Sequence, residues 1–140
     1  MHQKNTHLRV RYAETDQMGV VYYGVYAQYF EVGRVESLRD LGIRYRALEE
    51  AGIMLPVRRL EVNYKAPARY DDWLTIETTV QEMPQTRILF VHRILNEEAQ
   101  VLCTGTVELV FVDAQSRRPR LAPIEVINAL RPYFNDESNE

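Results

Sequence analysis

From about Tyr22 to Leu41 the chain carries a single proline-free stretch whose apolar residues recur at helical spacing: Tyr22, Tyr26, Tyr29, Phe30, Val32, Val35, Leu38 and Leu41. They spread over more than one narrow stripe, the pattern of a helix enclosed by other elements rather than lying on a surface. Gly42 follows the last of them and supplies the left-handed residue that commonly ends a helix. A chain with one such helix must wrap the rest of itself around it.

The remaining segments show how. Thr6 to Tyr12 alternates, with Leu8, Val10 and Tyr12 on one face and His7, Arg9 and Arg11 on the other. After a short second helix, Arg44 to Ala51, closed by Gly52, four strand patterns follow. Leu60, Val62 and Tyr64 alternate with Arg59, Glu61 and Asn63, and Leu74, Ile76, Thr78 and Val80 alternate with Trp73, Thr75, Glu77 and Thr79. Ile88 to Leu95 and Val101 to Val112 are the third and fourth. Short turns at Glu82–Gln85 and Asn96–Gln100 suit antiparallel hairpins. Pro123 to Leu130 reads as a short helix, and Asn135 to Glu140 as a solvated tail. The expectation is an α+β fold: about five antiparallel strands curled around one long helix. One helix covers one sheet face and leaves edges open, so a homodimer or homotetramer is expected.

With 140 residues the chain is expected to form one domain, residues 1–140. A net charge of −3 lacks the basic excess of a nucleic-acid binder. No apolar run approaches membrane-spanning length and Met1 to Val10 has no signal-peptide core, so a cytoplasmic location is expected. Cys103, the single cysteine, reads as a small buried residue beside Val101 and Val107. His2, His7 and His92 have no metal-ligand spacing, so no metal and no separate cofactor are expected.

The chemistry concentrates in Tyr12-Ala13-Glu14-Thr15-Asp16-Gln17-Met18-Gly19-Val20-Val21-Tyr22-Tyr23-Gly24. Asp16 precedes the helix in a glycine turn. A helix start offers unpaired N–H groups and the positive end of its dipole to a developing oxyanion. A carboxylate beside it suits hydrolysis of an activated acyl group. The same aspartate could equally cap the turn. Ser37, Ser116 and Ser138 form no G-x-S-x-G elbow. Glu14 reads as a solvated turn acid, and Glu31 as a structural partner of Arg34 one turn on. Tyr22, Tyr23, Tyr26 and Tyr29 read mainly as core aromatics, with Tyr22 or Tyr23 available to line an acyl slot.

The segment Asp16-x-x-Gly19-Val20-Val21-Tyr22-Tyr23-x-x-Tyr26 resembles the 4-hydroxybenzoyl-CoA thioesterase family of hotdog-fold enzymes, and within it the small bacterial branch associated with the Tol–Pal genes. The likeness continues through Tyr29-Phe30-Glu31 with Arg34, resumes at Tyr64-x-x-Pro67-Ala68-Arg69-Tyr70-Asp71-Asp72, and covers roughly Leu8 to Pro123. It implies an acyl-CoA substrate, Asp16 as catalytic base or nucleophile, the Tyr23 backbone N–H as carbonyl-polarising donor, Tyr22 and Gly24 beside the substrate, and a site at a dimer interface. Tyr23 and Val25 depart from that branch, where histidine and asparagine are common; the change bears on the acyl pocket, not on a backbone donor. Seventeen basic residues include only two lysines, Lys4 and Lys65, a bias that suits phosphate recognition by arginine. The resemblance places CoA phosphates near Arg87 and near Arg117 and Arg118. Other classes remain open: a hydratase, though no histidine accompanies Asp16, and a non-catalytic acyl-CoA or acyl-carrier-protein binding or scaffold protein.

Overall fold

The computed structural model describes residues 1–134; the expected tail lies outside the described residues. In chain order the elements are β1 (His2–Arg9), α1 (Val25–Asp40), α2 (Tyr45–Glu50), β2 (Ile53–Met54), β3 (Val57–Tyr64), β4 (Trp73–Val80), β5 (Arg87–Leu95), β6 (Val101–Val110), β7 (Val112–Asp113) and α3 (Ile124–Leu130), with single 3-10 turns at Tyr12–Glu14 and Arg131–Tyr133. Five strands form one antiparallel sheet in the order β1-β4-β5-β6-β3, and β2 pairs with β7 apart from it.

Alternation dictates the sheet's inner face. In β4 the buried residues are Leu74, Ile76, Thr78 and Val80, in β5 Ile88, Phe90, His92 and Ile94, and along β6 Cys103, Gly105, Val107 and Leu109. Against them α1 buries Val25, Tyr26, Tyr29, Phe30, Gly33, Arg34, Ser37 and Leu38. Two glycines set how closely the layers meet. A Cβ on Gly33 would lie 2.8 Å from Ile76 Cγ2 and closer still to Thr78 Oγ1; one on Gly105 would lie 2.5 Å from both the Glu61 carbonyl and the Phe30 ring. The helix ends at Gly42, whose φ of +80° lets Gly42 N–H reach Arg39 O and Ile43 N–H reach Leu38 O at 2.8 Å, closing the helix end and folding Ile43 into the core.

His92 lies fully buried in this core, its ring parallel to Phe30 at 4.6 Å and Nδ1 3.0 Å from Thr78 Oγ1. Burial, with help from the Arg34 charge, pushes its imidazole down to about 3. The unfolded chain therefore binds a proton below about pH 6.5 that the native state refuses, and stability falls as pH drops from there toward 3. Urea midpoints should show wild type losing about 2 kcal/mol more between pH 7 and pH 5 than His92→Gln. Equal losses would place the acid sensitivity elsewhere.

Three expectations need correction. The first strand runs from His2 to Arg9, not from Thr6 to Tyr12; Tyr12 sits in the 3-10 turn, 78% exposed, because Val10 N–H already bonds Asp72 O and the chain bends away. Helix α1 begins at Val25, not Tyr22, and it is not enclosed all round: Gln28, Glu31 and Val32 face outward in the single chain. Nor does β3 bury its apolar set. Val57, Leu60 and Tyr64 are each about half exposed, since β3 is an edge strand with only β6 beside it.

Candidate active site

The Asp16 segment folds back on itself as a small hairpin. Tyr22 N–H bonds Glu14 O, Thr15 bridges Val21, and Asp16 N–H bonds Val20 O at 2.9 Å. Gly19, at φ +78°, turns the chain so that its N–H returns to Asp16 O at 3.0 Å. The segment joining β3 to β4 crosses the open end of the sheet and holds this hairpin in place: Val21 N–H bonds Ala68 O at 2.8 Å, and Val20 bridges Arg69. Buried Ala68 donates its own N–H to Tyr26 Oη on α1. Hairpin, crossover and helix start are thus one hydrogen-bonded unit.

Glu14 is part of that unit rather than a solvated acid. Its carboxylate is mostly buried and accepts from Arg11 N–H at 2.8 Å and from Tyr29 Oη–H at 2.9 Å. Burial and this carboxylate together hold the Tyr29 hydroxyl protonated, far above its ordinary range. The hairpin is pinned to α1 through that bond.

Asp16 is half-buried, and Oδ1 accepts from Met18 N–H at 2.8 Å. The turn-capping bond is present and uses one oxygen; among the described residues Oδ2 has no hydrogen bond. A few residues on, α1 starts without a side-chain cap. Val25 N–H bonds Tyr22 O, while neither Tyr23 N–H nor Gly24 N–H finds an acceptor among the described residues. Two free donors at the positive end of a 16-residue helix form an anion-binding arrangement.

Tyr22 and Tyr23 are not core aromatics: they are 46% and 64% exposed, with rings 4.4 Å apart, whereas Tyr26 and Tyr29 are buried. Tyr23 borders a slot of about 250 Å³ with Val21, Tyr26, Tyr64 and Lys65, and Tyr64 Oη–H donates to Tyr23 O at 2.9 Å. Tyr64 and Lys65 had no functional reading from sequence; their place at the end of β3 is what brings them to the helix start. Cys103 is buried at the core, and burial pushes its thiol up to about 11, so it offers no thiolate near neutral pH. Among the described residues no cluster suits a metal ion, and no helix is long and apolar enough to cross a membrane.

The arginines lie elsewhere. Arg87 opens β5, opposite the last residue of β6, and forms an ion pair at 3.5 Å with the Glu108 carboxylate that also takes Arg58 at 2.7 Å. Arg117 and Arg118 sit exposed in the turn after β7. The Asp16 hairpin borders the other end of the sheet, where Arg9 pairs with Trp73, about 25 Å away along a nine-residue strand. Within one chain Asp16, Tyr23 and Gly24 come together; Arg87, Arg117 and Arg118 do not join them.

The family model of the thioesterase-like superfamily matches residues 10–130. The chain is 38% identical to the acyl-CoA thioester hydrolase YbgC of Escherichia coli over 120 residues, 86% of this chain and 90% of that one. It is 37% identical to the acyl-CoA thioesterase YbgC of Haemophilus influenzae over 120 residues, 85% and 88% of the two chains. The crystal structure of the DHNA-CoA thioesterase from Staphylococcus aureus superposes with a TM-score of 0.83 at 34% identity, covering 99% of this chain and 88% of that one. A sheet curled on one long helix, with this match along nearly its whole length, makes the chain a member of the thioesterase-like superfamily with the hotdog fold.

Proposed function

We propose that the protein hydrolyses acyl-CoA thioesters to a free acid and CoA, with Asp16 as base or nucleophile and the start of α1 as oxyanion site. The single observation that carries this reading is the pairing of an aspartate whose Oδ2 is free with two unengaged N–H groups, Tyr23 and Gly24, on one hydrogen-bonded unit. The names of the relatives point to the same substrate class. The thioester carbonyl oxygen accepts from the N–H groups, which polarise the carbon and hold the oxyanion as it forms. Asp16 attacks that carbon to give an acyl–aspartyl anhydride that water then cleaves to the free acid, or takes a proton from the water that attacks directly; on either route the thiolate of CoA leaves. Met18 N–H holds Oδ1, orienting the carboxylate with Oδ2 toward the reaction. Release of free thiol from acetyl-, hexanoyl-, palmitoyl- and benzoyl-CoA tests the reading. A protein that binds these compounds without releasing thiol is a binding or scaffold protein instead.

The working form is a homodimer or a homotetramer built from two dimers. Edge strand β3, with Val57, Leu60 and Tyr64 half exposed, has unpaired backbone on its outer side. Two copies joined there antiparallel lie head to tail. The end carrying Arg87, Arg117 and Arg118 in one copy then borders the Asp16 end of the other, which is how arginines so far apart in one chain serve one substrate. Light scattering should give a multiple of the 16.4 kDa chain mass at micromolar concentration. Charge reversal at Arg117 and Arg118 should raise KM for acyl-CoA about 10-fold, with a smaller change in kcat, because contacts remote from the carbonyl act alike on ground and transition states. The effect should be smaller on a pantetheine thioester, which lacks the nucleotide phosphates. Equal losses on both substrates would mark these arginines as structural.

A further inference from the structure

One buried charge in the fold is incompletely matched among the described residues. Arg34 on α1 is 8% exposed, and its buried Nε finds no hydrogen-bond partner among the described residues. Among the described residues its one ion-pair neighbour is the exposed Glu31, whose Oε2 stands 3.8 Å from Nη2, beyond hydrogen-bond distance. Two further buried polar atoms without partners belong to side chains that feel its charge: Tyr45 Oη and His92 Nε2. A buried guanidinium with an unmatched donor and only a long ion pair is a costly feature of a core unless something supplies a closer anion.

Arg34 also lines a cavity of about 180 Å³ with Ala27, Gln28, Glu31, Leu60 and Val107. Ala27, Gln28, Glu31 and Arg34 form one stripe of the helix, and Gly24, three and four residues before Ala27 and Gln28, stands at its head. Arg34 lies about 15 Å of helix rise from Gly24, a span shortened by the lean of long helical side chains toward the N-terminus. The cavity holds about six water volumes. Its apolar lining comes from Ala27, Val57, Leu60 and Val107, beside polar Gln28, Glu31 and Arg34.

On the reading that Gly24 and Tyr23 hold the thioester carbonyl, we infer that the acyl group runs down this stripe and that Arg34 selects an acyl group ending in a carboxylate. A carboxylate accepts two parallel N–H bonds from a guanidinium and balances its charge. The spacing fits a monothioester of a dicarboxylic acid of about adipic length. Arg34 is then a specificity-determining residue, acting far from the scissile bond.

The test compares adipoyl-CoA with hexanoyl-CoA, which share a chain length and differ in the terminal carboxylate. Wild type should show kcat/KM at least ~10-fold higher for adipoyl-CoA, the scale of a charge-assisted bond pair. In Arg34→Gln that ratio should collapse toward one, and in Arg34→Lys an intermediate ratio should survive. A wild-type ratio at or below one overturns the inference, and this arm needs no variant to fold. A variant that loses both substrates equally, or that falls apart into monomers with the ratio kept, also overturns it, since Arg34 would then serve packing or a second copy's carboxylate. Turnover of neither compound overturns the thioesterase reading itself and this inference with it.

Discussion

Asp16→Asn should lower kcat for acyl-CoA hydrolysis by at least ~100-fold while leaving fold and assembly as they are. The amide has the shape of the carboxylate, and its carbonyl oxygen can still accept from Met18 N–H, so the hairpin keeps its turn. The neighbouring bonds do not involve the side chain at all: Asp16 N–H to Val20 O, Gly19 N–H to Asp16 O and Val21 N–H to Ala68 O are backbone pairs. What the amide lacks is the charge needed to attack a carbonyl or deprotonate water. Binding should persist, because the N–H donors of Tyr23 and Gly24 are untouched. Steady-state thiol release, with circular dichroism and light scattering as controls, reads the result. Near-normal turnover would assign Asp16 to the turn alone and move the search for the base to another residue.

Gly105→Ala should lower the unfolding free energy by about 1–3 kcal/mol, and Gly33→Ala by a similar amount, read as shifts of the denaturant midpoint. At Gly105 the new methyl meets the Glu61 carbonyl of the neighbouring strand and the Phe30 ring, both 2.5 Å away. A backbone oxygen within a paired strand cannot step aside without disturbing the β3–β6 register. At Gly33 the methyl meets Thr78 and Ile76 on β4, so the helix must lift from the sheet. Helix propensity argues the opposite sign for Gly33, since alanine is favoured over glycine by about 1 kcal/mol inside a helix. The contact distances decide in favour of destabilisation. A stabilised Gly33→Ala would mean that the layers have slack the distances deny.

Much of this architecture could be read along the chain. The helix with its Gly42 terminator, the alternation of β4, β5 and β6, and the two hairpin turns are local patterns, and local patterns survive into the fold because side-chain period and turn chemistry act within a few residues. Asp16 and the helix start were legible together for the same reason: eight residues separate Asp16 from Gly24, and both belong to one hairpin-to-helix passage. The sequence also carried the family, through two motifs in order.

Tertiary structure decided everything that depends on distant partners. Glu14 reads as a turn acid until Tyr29, a helix turn inside α1, closes on its carboxylate. Leu60 and Tyr64 alternate as core residues do, and only strand order reveals that β3 is an edge. Gly33 and Gly105 give no sign of their role in the chain, because the groups that forbid a side chain there come from β4, β3 and the Phe30 ring. Arg34 looks like half of an ordinary helix pair with Glu31; its burial and its unpartnered Nε appear only in the folded chain. Local chemistry is fixed by spacing of a few residues, whereas burial, edges and unmatched charges are properties of what lies across the core.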